Sequence, residues 1–176
     1  PRSRTDELPL LGADGYARLR RDPAVLALRH RVPVDVAEHL LDRYGSLATD
    51  VLDLMAERPE LIRPLEGAPS YLAVEVAYAA RAEGALHLED VLARRTRISF
   101  ETAHRGVESA VDVAALMGAE LGWDADRQRT EVELYLARVA AERASQTMPD
   151  DESAEAVRLG APDVRTIPAG RPSSIR

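Results

Sequence analysis

The sequence predicts an all-α fold, a compact bundle of about six to seven short-to-medium helices that ends in a disordered C-terminal tail. Apolar residues recur at the three- and four-residue spacing of amphipathic helices, and no convincing alternation of apolar and polar residues indicates a strand. Proline and glycine fall between the periodic segments, where helices begin and end. With 176 residues, 45% of them hydrophobic, the chain is long enough to bury one core.

Two prolines predict where the first two helices begin. Asp22 offers a capping carboxylate directly before Pro23, which suits the first turn of a helix that runs toward Arg31. Pro33 opens the next helix, and Gly45 ends it. The inner face of that helix is expected to carry Val36, Leu40, Leu41 and Tyr44.

The middle of the chain is expected to hold two more helices, separated by a loop. Ser46 caps the first of them, which ends before Pro59 because proline cannot continue a helix. Residues 64–69 contain two prolines and a glycine and are expected to form the loop. Ser70 is then expected to cap a helix that Gly84 ends.

Three further helices complete the predicted bundle. A short helix is expected at about 88–95, a long amphipathic helix ends at Gly122, and Asp124 caps a last helix that runs to about Ala144. The inner faces of the two longer helices are expected to carry Val107, Ala110, Val111, Ala114, Met117 and Leu121 and, further on, Val132, Leu136 and Val139. From Met148 onward too few apolar residues remain to offset the entropy of ordering the chain.

The composition excludes several kinds of chemistry. The chain has no cysteine, which excludes disulfides, thiolate nucleophiles and cysteine-ligated metals. It has no lysine either, which excludes Schiff-base catalysis. The net charge of -7 argues against a nucleic-acid partner, because such binding depends on an excess of cationic side chains.

Motifs for cofactors and metals are also missing from the sequence. No glycine loop of the GxGxxG or Walker type occurs, so that route to holding a dinucleotide phosphate is closed. The histidines are scattered over separate segments, at His30, His39, His87 and His104. We therefore expect no catalytic, cofactor-binding or metal-binding residue within this chain.

The stretch HLEDVLARRTR, residues 87–97, places two carboxylates and three guanidiniums in one short helical run. Asp90 and Arg94 are four residues apart and are expected to pair on one helix face. Arg95 and Arg97 cannot both pair with Asp90 as well, so these two arginines need other partners.

The preceding helix offers such partners in Glu75 and Glu83, which are expected to project toward one side. A carboxylate buried there without a cation is costly. We therefore predict a structural or interdomain charge clamp, formed by Glu75, Glu83, Asp90, Arg94, Arg95 and Arg97. Two alternatives remain open: contact of these arginines with a partner surface or flanking domain, and a site for a small anion.

Five blocks of the sequence resemble, in order, one enzyme family, FAD-dependent glycerol-3-phosphate dehydrogenase. LPLLGADGY (8–16) resembles the segment just past the FAD-binding part of that enzyme. The other blocks resemble its C-terminal helical domain: LLDRYGSLATDVLDL (40–54), YLAVEVAYAARAEGALHLEDVLARRTRIS (71–99), VAALMGAELGWD (113–124) and AERASQTMPDD (141–151). Where the family pattern has a small capping hydroxyl before L-E-D, this chain has His87.

The resemblance implies a parent enzyme that oxidises sn-glycerol 3-phosphate to dihydroxyacetone phosphate and passes electrons through FAD to quinone. Residues 1–12 would then be a linker from an N-terminal FAD-binding portion that is missing here. Residues 13–147 would be the helical C-terminal domain, and 148–176 a flexible tail. The expected location is the cytoplasm, with the parent enzyme peripheral on the inner face of the cell membrane.

The resemblance also implies a role for this part of the enzyme. It assigns FAD to the parent enzyme and no cofactor to this part, whose role would be packing on the flavin domain, subunit contact within a homo-oligomer, or regulation. The main alternative is a free-standing helical module that binds a protein partner. A helix-turn-helix regulator is disfavoured because the chain is acidic.

Overall fold

A computed structural model describes residues 8–164 of the chain. The chain divides into two compact units, Pro1–Leu61 and Ile62–Arg176. Helices dominate both units, which confirms the all-α prediction. Within the described part, none of the helices combines the length and the apolar character that crossing a membrane requires.

The first unit is built from four short helices and two 3₁₀ turns. The helices are α1 (Tyr16–Arg21), α2 (Pro23–His30), α3 (Val34–Tyr44) and α4 (Ala48–Glu57). The 3₁₀ turns are Gly45–Leu47 and Pro59–Ile62, the second of which crosses the boundary between the units. The core of this unit is aliphatic and is formed by Leu26, Ala27, Ala37, Leu40, Leu41, Ala48, Val51, Leu52, Leu54, Met55 and Leu61.

Two glycines fix the segment before α1 against the corner between α3 and α4. Gly12 and Gly45 have φ angles of 83° and 59°, in the left-handed region that favours glycine. The backbone N–H of Ser46 donates to the Gly12 carbonyl at 2.8 Å. A β-carbon at Gly45 would overlap that same carbonyl, so glycine is required on both sides of the contact.

The second unit opens with an antiparallel hairpin of strands β1 (Pro64–Leu65) and β2 (Ala68–Leu72). The hairpin leads directly into α5 (Ala73–Ala82), whose residues 73–80 are all buried. A helical turn follows at 88–95, and then come α6 (Ile98–Glu101) and a 3₁₀ turn at Val107–Ser109. The remaining helices are α7 (Ala110–Leu121), α8 (Ala125–Ser145) and α9 (Asp151–Leu159), and α7 packs against both α5 and α8.

Most of the predicted helix boundaries are confirmed, but the expected loop at 64–69 is wrong. Gly67, with a φ of 72°, supplies the turn of the hairpin instead. The strands were missed because they are short and carry Pro64 and Pro69, residues that normally argue against a strand. Consequently Ser70 is not a helix cap, and α5 begins only at Ala73.

The predicted Asp22 cap is also wrong, since its side chain makes no capping hydrogen bond to α2. Two inner-face predictions fail as well, because Val111 is 69% exposed and Leu136 is 38% exposed. The buried stripe of α8 instead carries Glu131, Tyr135 and Val139. A sequence pattern of apolar residues could not show that a carboxylate lies on the inner face.

The flexible tail predicted from residue 148 needs a correction for part of its length. Residues 151–159 form α9, which begins with a hydrogen bond from the Ser153 N–H to the Asp150 carboxylate, 2.7 Å long. Arg158 pairs with Glu155 at 2.7 Å, and Ala154 is the one residue that this helix buries. Capping and a local ion pair thus support a short helix that packs on α8 and buries one residue, while 165–176 lie outside the described residues.

Candidate functional site

The helical turn at 88–95 is the region where the sequence predicts the charge clamp. Its last six residues, Asp90–Arg95, are wound as a π-helix, and the Thr96 N–H donates to the Val91 carbonyl five residues back. The wider turn is closed a second time by the Thr96 hydroxyl, which donates to the same carbonyl at 2.7 Å. π-Helical turns are rare and often lie at functional sites, so the surroundings of this turn are the natural place to look for a site.

Asp90 fixes the beginning of this turn. One carboxylate oxygen accepts the backbone N–H groups of Leu86 and His87, each at 3.0 Å. The other oxygen accepts the guanidinium of Arg94, so the pair expected from the four-residue spacing is present. Arg94 also donates to Glu89 at 2.8 Å, and its side chain remains 59% exposed. Asp90 and Glu89 therefore both neutralise Arg94, which lies in the same turn.

The other two arginines of the predicted clamp lie in different surroundings. Arg95 donates to the backbone carbonyl of Glu83 at 2.6 Å, where a cation suits the negative C-terminal end of α5. The side chain of Arg97 is largely exposed and lies 3.4 Å from Glu101. The backbone N–H of Arg97 donates to the Tyr71 hydroxyl at 3.1 Å, and that hydroxyl donates to Glu101 at 2.8 Å.

Glu75 occupies the third position of α5 and is fully buried. One of its carboxylate oxygens accepts the Leu72 N–H at 2.8 Å, which satisfies a backbone donor at the start of the helix. The structure thus gives Glu75 a capping role that the sequence did not predict. The clamp between α5 and the arginines as a whole stays a prediction.

The strongest polar cluster in this region was not predicted. The Glu131 side chain, on α8, has no exposed area, and one of its oxygens lies 2.9 Å from His87 Nδ1. Its other oxygen accepts the Leu88 N–H at 3.2 Å, and Arg127 donates to the carboxylate from one turn earlier in α8. Because a carboxylate only accepts hydrogen bonds, the tautomer of His87 that satisfies this contact is the one with its proton on Nδ1. We call His87, Arg127 and Glu131 the buried triad.

The triad is partly visible in the sequence. Arg127 and Glu131 have the i,i+4 spacing of a helical ion pair, so a local pair could have been inferred. No local pattern could have shown that the pair meets His87, which lies 44 residues before Glu131. Trp123 adds to the packing, since the Arg127 guanidinium carbon lies 5.4 Å from the centre of its ring.

A cavity of about 420 Å³ lies beside the triad. Its walls come from the 88–95 turn, from α8 and from the α9 region, and three arginines line it, Arg94, Arg138 and Arg158. Each of these guanidiniums already has a carboxylate partner, because Arg138 lies 3.1 Å from Glu142 and Arg158 pairs with Glu155. The cavity therefore offers balanced charges rather than the excess of positive charge that a small-anion site requires.

Tyr135, which also lines the cavity, is not suited to act as a base. Burial is the main cause that raises its pKa to about 12, and the nearby Glu142 carboxylate adds to this effect. The phenol therefore keeps its proton at neutral pH and donates a hydrogen bond to the Arg105 carbonyl. No three His, Asp or Glu side chains of residues 8–164 gather closely enough to hold a metal ion.

Comparison with known proteins identifies the family. The chain belongs to the family described as the C-terminal domain of alpha-glycerophosphate oxidase, whose family model matches residues 3–128. The resemblance noted in the sequence is thereby confirmed. The matched segment contains the 88–95 turn and two members of the triad, His87 and Arg127, but it ends before Glu131.

Several curated relatives are longer proteins named as glycerol-3-phosphate dehydrogenases. The chain is 53% identical to glycerol-3-phosphate dehydrogenase of Mycobacterium leprae and 54% identical to glycerol-3-phosphate dehydrogenase 2 of Mycobacterium tuberculosis, in each case over 92% of this chain and 28% of the relative. A probable mitochondrial glycerol-3-phosphate dehydrogenase of Dictyostelium discoideum is 33% identical over 73% of this chain and 20% of the relative. The chain thus spans less than a third of the length of these relatives. No solved structure matches the chain significantly.

Proposed function

We propose that this chain is the non-catalytic C-terminal helical domain of an FAD-dependent glycerol-3-phosphate dehydrogenase. The match of the family model to residues 3–128 is the observation that supports this proposal most strongly. The parent enzyme oxidises sn-glycerol 3-phosphate to dihydroxyacetone phosphate, and FAD carries the electrons onward to quinone. The domain acts by packing on the flavin-binding portion of the same polypeptide.

The residues that the structure describes, 8–164, do not fit FAD. Binding of a dinucleotide normally uses a glycine-rich turn between a parallel strand and a helix. The described residues contain one antiparallel hairpin, β1 and β2, and the hairpin leads into α5 without such a turn. We therefore assign FAD to the portion of the parent enzyme outside this chain, and derive no catalytic step from the residues described here.

The charges around the 88–95 turn support a scaffolding role. Arg94, Arg127 and Arg138 all lie against carboxylates of this same domain, and the buried carboxylate of Glu131 is used to join two helices. Groups that are already bound in this way are poorly placed to bind substrate, because a ligand would first have to break these contacts. These contacts support the packing role that we propose for the domain.

Two preparations test the proposal. The first is the 176-residue chain, and the second is the Mycobacterium tuberculosis relative in which this chain replaces the matched C-terminal part. We expect the first to be colourless and to show no reduction of a dye acceptor with glycerol 3-phosphate, and the second to show a flavin spectrum and activity. A yellow 176-residue chain with a flavin spectrum would overturn the assignment of FAD to the other portion.

The location of the parent enzyme is part of the same proposal. We place it in the cytoplasm, peripheral on the inner face of the cell membrane, because quinone as acceptor requires access to the bilayer. Separation of cell extracts into membrane and supernatant, before and after a high-salt wash, tests this placement. Activity that stays with membranes at low salt and leaves them at high salt is the expected result, and activity that is fully in the supernatant at low salt contradicts it.

A further inference from the structure

Large apolar side chains face water in the first unit. Of the described residues in this unit, six large aliphatic side chains are well exposed, namely Leu8, Leu10, Leu11, Val25, Leu28 and Val34. Leu11 is 88% exposed, and both Leu10 and Leu28 are 81% exposed. Aliphatic residues that are exposed singly are ordinary, but neighbouring ones such as Leu10 and Leu11 are typical of a surface that another polypeptide covers.

The exposed leucines lie on backbone that is held in place. The turn that contains Leu10 and Leu11 is closed by a hydrogen bond from the Ala13 N–H to the Leu10 carbonyl, 2.9 Å long. The next residue, Gly12, is bonded to Ser46 at the corner of α3 and α4. The two leucines are therefore presented to water by an ordered segment, so that a partner would pay little ordering entropy on binding them.

Helix α2 presents a second group of exposed aliphatic side chains. Val25 and Leu28 are three residues apart and point away from the core, whereas Leu26 and Ala27 on the opposite side are buried. A hollow of about 250 Å³ lies beside Val25, between α1 and α2. We call Leu10, Leu11, Val25 and Leu28 the apolar surface.

The charges around the apolar surface define its partner further. Residues 16–31 carry five arginines and a single acid, Asp22. The arginines are Arg18, Arg20, Arg21, Arg29 and Arg31. Arg20 is paired with Asp42 of the same unit at 3.0 Å. A complementary partner is therefore apolar where it meets the exposed aliphatic side chains and carries acids opposite the other arginines.

We propose that the apolar surface is the face that packs against the portion of the polypeptide preceding the C-terminal domain in the longer members of this family. This inference rests on the proposed function. The family model begins at residue 3, and this chain spans only 28% of the Mycobacterium tuberculosis relative. The preceding portion of such a relative therefore joins the domain a few residues before Leu10 and Leu11 in the sequence.

The absence of cysteine provides a direct test, because one introduced thiol is unique in this chain. Leu28→Cys places a thiol on the apolar surface, and Val111→Cys is the matched control, since Val111 is 69% exposed and lies in the second unit. Rates of maleimide labelling, measured by mass spectrometry at each position, are compared between the 176-residue chain and the long form described above. Flavin absorbance and glycerol 3-phosphate oxidation show that the long form is assembled.

In the long form we expect labelling at position 28 to slow by about tenfold or more relative to the 176-residue chain, while labelling at position 111 changes by less than about twofold. Equal rates at position 28 in both forms would overturn the assignment of the surface and leave the proposed function standing. A long form without flavin or activity would instead contradict the proposed function. Two other results in the 176-residue chain alone would also overturn the inference. Protection of position 28 at high protein concentration would make a second copy the partner. Protection by anionic lipid vesicles would make a membrane the partner.

Discussion

The start of α5 and the start of the 88–95 turn are each fixed by a buried carboxylate, but the two carboxylates come from different distances along the chain. Glu75 is the third residue of the helix that it caps, and it binds the Leu72 N–H. Glu131 binds the Leu88 N–H from 43 residues further along the chain. The first carboxylate therefore stabilises one helix end, whereas the second also fixes α8 against the turn.

The largest effect is expected at Glu131, the buried carboxylate of α8 that accepts the Leu88 N–H. Glu131→Ala removes the carboxylate that neutralises Arg127 and leaves the Leu88 N–H and His87 without their acceptor. Breaking one side of a buried ion pair costs about 3 to 5 kcal/mol. We expect Glu131→Ala to lower the free energy of unfolding by that amount, as measured by urea denaturation followed by circular dichroism.

Glu133→Ala is the matched control for that experiment, since Glu133 lies on the same helix and is exposed. Its free energy of unfolding should stay within about 0.5 kcal/mol of the wild type. A loss at position 131 no greater than the loss at position 133 would show that the triad contributes nothing to stability.

A somewhat smaller effect is expected at the local cap. Glu75→Ala should lower the free energy of unfolding by about 2 to 4 kcal/mol, because a buried charged group is lost and the Leu72 N–H loses its acceptor. Glu75→Gln keeps an acceptor at the same place. If capping is the main role of Glu75, the Gln variant should lose less than half as much stability as the Ala variant; equal losses in both would instead support the charge clamp predicted from the sequence.

Asp124, which caps α8 at the protein surface, gives an exposed carboxylate to compare with the two buried ones. Asp124 accepts the Arg127 N–H at 2.7 Å at the start of α8, and its side chain is exposed. Asp124→Ala should therefore cost only about 1 kcal/mol, the usual value for an N-cap. Asp124→Ser, which restores an acceptor, should recover most of that loss. Denaturation curves of the two variants that coincide would contradict a capping role.

The smallest effect is expected at the cap of α9, where it depends on pH. The Ser153 backbone N–H is the main cause that lowers the pKa of Asp150 below its ordinary value of 3.8. Because the folded pKa is the lower one, the carboxylate stabilises α9 fully above the unfolded pKa, and this contribution is lost as the pH falls through the folded pKa. Carboxyl NMR should show a titration midpoint for Asp150 below 3.8, with faster amide exchange in α9 below it. A midpoint at 3.8 or higher would contradict the cap.

The same contrast explains how much of the structure the sequence could predict. Helix ends that depend on one residue were found, as at Gly45, Gly122 and Asp124, because a positive φ or a capping carboxylate leaves a local signal. The sequence did not predict the hairpin at 64–72, because Pro64 and Pro69 argue against strands there. The start of α9 was missed because its support is polar, through Asp150, and not apolar.

The candidate site was predictable only in its local half. Spacing alone predicted the contact of Asp90 with Arg94. The contact of Glu131 with His87 joins residues far apart in the chain, and an apolar pattern assigned the inner face of α8 to Leu136 instead. The sequence predicted that charged residues gather at the 88–95 turn. Only the packing of α8 shows that Glu131 is the acid buried there.

A double-mutant cycle on Arg127 and Glu131 tests most directly the claim that charges of this region neutralise one another inside the fold. Arg127→Met and Glu131→Gln are measured singly and together by urea denaturation; Gln keeps an acceptor for the Leu88 N–H. We predict a coupling free energy of about 1.5 to 3 kcal/mol, with the double variant clearly more stable than the sum of the single losses implies. Losses that add to within about 0.5 kcal/mol would contradict the account, because the two side chains would then stabilise the domain independently.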